Sequence, residues 1–342
     1  MKKNGFRVLG ALLGVASLAA CTTPSDDANA QVDAVTVVGT TVTSDLYASK
    51  SFGVRMIPTR ASDGAAVLSN DLAVKVRITS PEGVTATVQR TECSVPADAD
   101  APVSVGVVID DSGSMSGSDP KRKRKDAFLS FLKTIRPGDP VLFTDYGASG
   151  SALRDLVCAS NGGGRCSPSA SGFTTDRAAL QRAAELISPS GGTPLYESCV
   201  EMVKVLGEVK GRRAMLLLSD GQPNSQTQRA ACHASAKAAQ IPVYTVGLGP
   251  AAEGDRLASE PAVKVLRELS TETGGAYASA DAPEQLDRLF VAMGAAVSKG
   301  SCSSTATITE LDRIVPGTRV VGELEVGSKG ALSRFELVAP QR

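Results

Sequence analysis

Tryptophan is absent from the 342 residues, histidine occurs once, and aromatic residues make up only 4%. Stacking platforms for bases or sugars are therefore poorly supplied. Lysine plus arginine equals aspartate plus glutamate at 36 each, so the basic excess that marks nucleic-acid binding is missing. A serine or cysteine nucleophile wants a general base beside it. The only histidine, His233, follows Cys232 in a helical stretch, and no Gly-x-Ser-x-Gly turn occurs. P-loop, dinucleotide and His-Glu-x-x-His signatures are missing too. The run Asn161-Gly162-Gly163-Gly164-Arg165 lacks the Lys-Ser/Thr that a phosphate loop needs. These absences argue against an enzyme and against a nucleic-acid partner. His233 reads as a surface or packed residue.

Long hydrophobic runs are scarce as well. The apolar stretch Val8 to Ala20 is too short to be a comfortable membrane span. Lys2, Lys3 and Arg7 precede it, and it ends in Leu18-Ala19-Ala20-Cys21 before a polar segment. This resembles a bacterial lipoprotein signal peptide over residues 1–20, with Cys21 left to carry the lipid. An ordinary secretory signal is the alternative. Thr22, rather than Asp, after the cysteine resembles the pattern that sorts to the outer membrane, with periplasm and cell surface both open. Residues 21–34 are small and polar and read as a tether.

The composition that remains is globular, with 42% hydrophobic residues. Gly53 to Ile57 and Leu72 to Ile78 alternate apolar and polar residues as half-buried strands do, and Val84 to Val88 follows a Pro-Glu-Gly turn. The same texture returns at Thr305 to Thr309, Val320 to Val326 and Ser333 to Val338. Neither flank has many strands alone. A single antiparallel sandwich from residues 35–100 plus 301–342 buries more surface per strand, and two separate small sheets are the alternative. Between them, residues 101–300 alternate strand and helix, the pattern of an α/β, doubly wound, mostly parallel sheet. Strands are expected at Val103 to Ile109, Val141 to Phe143, Met215 to Leu218, Val243 to Val246 and Ala276 to Ala278, with an antiparallel edge strand at Ala152 to Val157. Phe128, Phe131, Leu132 and Ile135 fall on one helix face, and Leu286, Leu289, Phe290, Met293 and Val297 on another. Pro120 after Ser118-Asp119 reads as a capped helix start.

The chemistry concentrates at the ends of these strands. Asp110, Ser112 and Ser114 leave the first at alternate positions. Thr193 lies on the glycine-shaped loop Gly191-Gly192-Thr193-Pro194, and Asp220 follows Leu216-Leu217-Leu218-Ser219. Loops at the carboxyl ends of a doubly wound sheet gather into one crevice, and hard oxygens there suit Mg²⁺, which keeps waters and takes few protein carboxylates. The three pieces together resemble the metal-ion-dependent adhesion site (MIDAS) of von Willebrand factor A domains, over roughly residues 101–300. The resemblance implies a Rossmann-like fold with Ser112, Ser114 and Thr193 on the metal and at least one of Asp110 and Asp220 acting through water. It also implies a partner protein whose Asp or Glu completes the octahedron. Mg²⁺ is the expected ion, with Mn²⁺ or Ca²⁺ as alternatives. Asp111 reads as an exposed loop carboxylate.

Seven cysteines less Cys21 leave Cys93, Cys158, Cys166, Cys199, Cys232 and Cys302. An even number in an exported chain reads as disulfides, with fifteen possible pairings. Zinc knuckles are poorly matched because no pair of Cys-x-x-Cys motifs occurs. Within the resembled fold, Cys93 and Cys302 stand where the chain enters and leaves the A domain, Cys158 and Cys166 flank the glycine run, and Cys199 and Cys232 lie on two helices.

The expected protein is thus a lipid-anchored, non-enzymatic component of the bacterial envelope that binds a partner carboxylate through a metal. The alternative is an envelope scaffold in which the metal is structural. Lys121 to Lys125 reads either as a solvated helix face or as a positive collar that draws an acidic partner. In the resembled family, binding can be coupled to a shift of the last helix, here about Pro283 to Ser298.

Overall fold

The computed structural model describes residues 25–340 apart from 43–44, 97, 99, 148–152, 164–165, 222, 253–260 and 281. The expected signal peptide and lipidated Cys21 lie outside the described residues. The strands are β1 (Ala34–Val42), β2 (Ser51–Thr59), β3 (Val74–Ser80), β4 (Ala86–Ser94), β5 (Val103–Asp110), β6 (Val141–Tyr146), β7 (Arg154–Asp155), β8 (Arg212–Ser219), β9 (Val243–Leu248), β10 (Tyr277–Ala280), β11 (Ser301–Ile308), β12 (Arg319–Val326) and β13 (Ala331–Val338). The α-helices are α1 (Ser25–Gln31), α2 (Leu46–Ser49), α3 (Met115–Ser118), α4 (Lys123–Thr134), α5 (Leu156–Ser160), α6 (Arg177–Ala184), α7 (Leu195–Gly207), α8 (Arg229–Ala238), α9 (Pro261–Thr273) and α10 (Leu286–Lys299).

The central sheet runs β10-β9-β8-β5-β6-β7, with five parallel strands and β7 antiparallel at one edge. Every residue of β5, β6 and β9 is buried, because helices cover both faces and the apolar runs need no polar side. Alternate residues divide between those faces. Leu216 and Leu218 join Phe128, Phe131, Leu180, Phe290 and Met293 on one face. Met215 and Leu217 join Leu195, Met202, Ala236 and Leu266 on the other. Gly106 permits the second packing, since a Cβ there would lie 2.4 Å from Met202 Sδ. The edge strand is shorter than expected because Asp155 turns to cap α5, accepting from Val157 and Cys158 N–H.

Residues before and after this layer interleave in two antiparallel sheets, β1-β2-β11-β4 and β13-β12-β3. Both contribute to one apolar cluster, in which Phe52 and Phe335 stack with ring centroids 5.7 Å apart. Arg55 of β2 reaches the α/β layer, donating to Gly275 O at 2.6 Å, and Val38 and Ile57 are buried in that layer's core. Disulfides join Cys93–Cys302, Cys158–Cys166 and Cys199–Cys232.

Three expectations change. The segment expected as a tether up to residue 34 is built into the fold over its described part. Residues 25–31 are helical, Val32 is buried, and the Asn29 side chain accepts from Ala73 N–H at 2.7 Å. The helix after the first motif begins at Lys123, not at Pro120. Asp119 still caps it, but from further back, accepting from Lys123 N–H at 2.7 Å and Arg124 N–H at 3.0 Å. Finally, α10 is buried nearly all round, with Ala292, Gly294, Ala295 and Ala296 enclosed as well as the expected face.

Candidate metal-binding crevice

In a doubly wound sheet the crevice forms where the strand order reverses. Here that point lies between β5 and β8, adjacent in space but separated in sequence by β6 and β7. Asp110 ends β5 and Asp220 follows β8, so the two carboxylates arrive at the same reversal. Both are fully buried.

Asp110 is fixed by hydroxyls and an amide. Its Oδ1 accepts from Ser112 N–H at 3.0 Å and Ser112 Oγ at 2.5 Å, while Ser112 Oγ lies 3.0 Å from Ser114 Oγ. Its Oδ2 accepts from Ser219 Oγ at 2.6 Å. Tyr146 hydroxyl donates to Ser219 at 3.0 Å, and Gly221 N–H donates to the same oxygen at 2.9 Å. Burial first, then the neighbouring Asp110 charge, pushes the Tyr146 hydroxyl well above its ordinary value of 10. It therefore stays a donor. Ser118 Oγ donates to Asp220 Oδ2 at 3.3 Å.

The Thr193 loop is laced to the first motif through Gly113 N–H to Gly191 O at 3.0 Å, and Thr193 O accepts from Asn224 N–H at 3.0 Å. Thr193 is 5% exposed, Ser112 is buried and Ser114 is exposed. The crevice thus has a closed floor with an opening on the Ser114 side. The sequence placed all five oxygen residues in one crevice at the carboxyl ends of the strands; the structure ties Ser112 and Ser114 to Asp110 through side chains and the Thr193 loop to them through backbone. Sequence reading missed Tyr146, Ser219 and Ser118, although Ser219 stands directly before Asp220 at a strand end.

Beneath the crevice lies a buried ion cluster. Arg124 is fully enclosed and donates to Asp111 Oδ1 at 2.6 Å and Asp119 Oδ2 at 2.8 Å. Asp111 also accepts from Ser188 N–H. Burial raises the Asp111 carboxyl above its usual range, opposed by the Arg124 hydrogen bond. This corrects two expectations. Asp111 is not an exposed loop residue, and the Lys121 to Lys125 run is not uniformly solvated. Arg124 points inward because two desolvated carboxylates require a cation. Gly147, with φ of 128°, follows β6 against this loop, and a Cβ there would lie 2.5 Å from Asp111 C and O. His233 is 7% exposed and shares a 2.9 Å contact with Glu272, between helices and away from the five oxygens.

The donor set fits a hard cation. Asp110 forms no ion pair among the described residues, and Ser112 N–H, Ser112 Oγ and Ser219 Oγ, which donate to it, are all neutral. A buried carboxylate without a counter-charge is costly, while its neighbours Asp111 and Asp119 share Arg124. Two carboxylates and three hydroxyls are the ligand chemistry of Mg²⁺, Mn²⁺ or Ca²⁺ rather than of a thiophilic metal. Among the described residues no group of three or more His, Cys, Asp or Glu side chains comes together to hold a metal.

Fold and site define an α/β protein with a doubly wound sheet and an oxygen-lined crevice at its topological switch point. Solved structures similar to it include von Willebrand factor A proteins. A von Willebrand factor type A protein from Catenulispora acidiphila is 15% identical, covering 80% of this chain and 74% of its own, with a TM-score of 0.48. The vWF domain of the type V pili tip protein Mfa5 from Porphyromonas gingivalis is 15% identical over 56% of this chain and 94% of its own, with a TM-score of 0.42. The manganese-loaded TRAP protein of Plasmodium vivax is 13% identical over 80% of this chain and 100% of its own, with a TM-score of 0.43. No family model matches the sequence, and no curated protein does. The strand order and the crevice, not these overlaps, define the fold.

Proposed function

We propose that the chain is a metal-dependent binding protein of the von Willebrand factor A type, and not an enzyme. Ser112, Ser114 and Thr193 would hold a divalent cation, Mg²⁺ first, with at least one of Asp110 and Asp220 acting through water. The ion would offer an electrophilic position to an Asp or Glu of a protein partner. The chain's own residues do the rest. The Tyr146–Ser219 pair orients Asp110, Arg124 anchors the loop, and Ser114 lines the opening.

The observation that carries this reading is the buried Asp110, surrounded by neutral donors while the adjacent Asp111 and Asp119 are matched by Arg124. We read the two flanking sheets as one β unit, residues 35–100 plus 301–342, that carries residues 101–300 as an insertion. An exported chain tethered to the envelope by lipid on Cys21 suits the three disulfides. Among the described residues no helix is long and apolar enough to cross a membrane.

The test is partner capture from envelope extract with wild-type protein and Asp220→Ala, each with Mg²⁺ and with chelator, after circular dichroism shows the variant folded. Capture should require both Mg²⁺ and Asp220. Capture that survives mutation and chelator discards the adhesion mechanism. Metal-dependent melting with metal-independent capture transfers the ion to the scaffold role.

A further inference from the structure

The mouth of the crevice presents little side chain. Gly113, Ser114 and Gly191 are exposed there, and the Ser116 hydroxyl is engaged, donating to Gly113 O at 2.7 Å. One longer polar side chain stands beside them. Asn224 is exposed, and its backbone N–H donates to Thr193 O at 3.0 Å. On the metal-dependent reading proposed above, we infer that Asn224 is the residue that recognises the incoming carboxylate. Its side-chain amide donates to the carboxylate oxygen that the ion leaves free.

The seat for that amide is made by Gly192. Its neighbour Gly191 has a φ of 71°, which by itself favours glycine. Gly192 is not in the left-handed region, so backbone conformation does not call for glycine there. The space around it does. A Cβ on Gly192 would lie 2.2 Å from Asn224 Nδ2 and 3.3 Å from Asn224 Cγ. The missing side chain therefore lets the amide lie against the loop, directly before Thr193.

The amide is seated but unused. Asparagine in a turn ordinarily folds its side chain back onto the backbone. The Asn224 side chain has no hydrogen-bond partner among the described residues. The turn after it is closed without its help, since Ser225 Oγ donates to Thr227 Oγ1 at 2.9 Å and accepts from Thr227 N–H at 3.1 Å. Asn224 thus keeps both Nδ2 protons for a ligand.

A carboxylate that gives one oxygen to a cation keeps a second, which can only accept hydrogen bonds. A neutral amide suits that oxygen. Lysine or arginine at the same place would also donate, but its charge would repel the ion. The backbone tie to Thr193 holds the Asn224 loop before the partner arrives, which lowers the ordering cost of binding. The contact is also selective. A hydroxyl ligand brings no second oxygen, so only Asp or Glu gains from Asn224.

The full chain loaded with Mn²⁺ tests this, with water-proton relaxation reporting the water on the ion and capped aspartate (N-acetyl-aspartate methylamide) as the probe. In wild type the probe should displace that water saturably. Asn224→Ala should bind the probe about tenfold more weakly, the loss of one hydrogen bond to a charged acceptor, while Mn²⁺ affinity is kept. Asn224→Asp, which removes the donors and adds a repelling charge, should weaken the probe further. Gly192→Ala should match Asn224→Ala, because the added Cβ meets the far end of a flexible side chain and displaces the amide rather than the fold. With Mg²⁺ in place of Mn²⁺, the Asn224 side-chain amide protons should move downfield when the probe is added, a signature that a merely structural role does not give. The inference is overturned if Asn224→Ala and Gly192→Ala bind the probe as tightly as wild type, or if the probe displaces no water from Mn²⁺-loaded wild type. A chain that takes up no Mn²⁺ would instead sink the metal reading, and this inference with it.

Discussion

At the scale of single residues, Arg124 is the least expected feature. A run of five basic residues reads as solvent-facing because long cations are rarely enclosed unless paired. One member, five residues after Asp119, meets two carboxylates delivered by different turns. Removing the cation would strand both acids in an interior that cannot solvate them. Arg124→Met should therefore lower unfolding stability by about 3–5 kcal/mol, read from urea melts. A loss below about 1 kcal/mol, the scale of surface pairs, would show that the cluster is solvated in solution. Asp110, Ser112, Ser114 and Asp220 were legible as candidates because hydroxyl and carboxylate types stand at strand ends, and Thr193 because it lies on a glycine-shaped loop. Asp111 was not, since its burial depends on Arg124 and Ser188 arriving from elsewhere.

At the scale of elements, strands of the central sheet were legible to within a few residues, since runs such as Met215 to Leu218 are apolar on both faces. Element ends were less so. The start of α4 depended on Asp119 reaching Lys123 and Arg124 N–H, a displaced cap that residue order alone does not reveal. The entry to β1 is set by Asp33, which accepts from Ala61 N–H at 2.7 Å and from Lys329, in the β12–β13 turn, at 2.6 Å. First the Ala61 hydrogen bond and then Lys329 hold its carboxyl below the ordinary 3.8. A depressed carboxylate contributes stability that is present above its unfolded value and lost as pH falls through the folded one. Asp33→Asn should thus be less stable than wild type at neutral pH, with the gap closing below 3.8 in a pH series of denaturant melts. A gap that widens in acid would contradict this assignment.

At the scale of the whole molecule, the chain leaves the flanking sheets at β4 and returns at β11. Cys93 and Cys302 face each other across that pair of strands, 209 residues apart in sequence. Closing so long a loop restricts the unfolded chain strongly, so replacing both cysteines by alanine should cost about 2–5 kcal/mol. Calorimetric melting of oxidised wild type against the double variant measures it. An equal loss on opening the Cys158–Cys166 loop, whose cysteines are only eight positions apart, would argue against a chain-entropy origin.

Residue order alone determined the alternation of strand and helix in the middle of the chain and the candidates for the crevice oxygens. Both follow from local properties: hydrophobic period, turn chemistry and the donor atoms that a side chain carries. Tertiary structure decided which strand neighbours which, and hence that Asp110 and Asp220 meet at the reversal between β5 and β8. It also decided that Arg124 is enclosed and that residues 28–32 pack into the fold. Burial and charge compensation are properties of neighbours in space, and a linear pattern does not specify them.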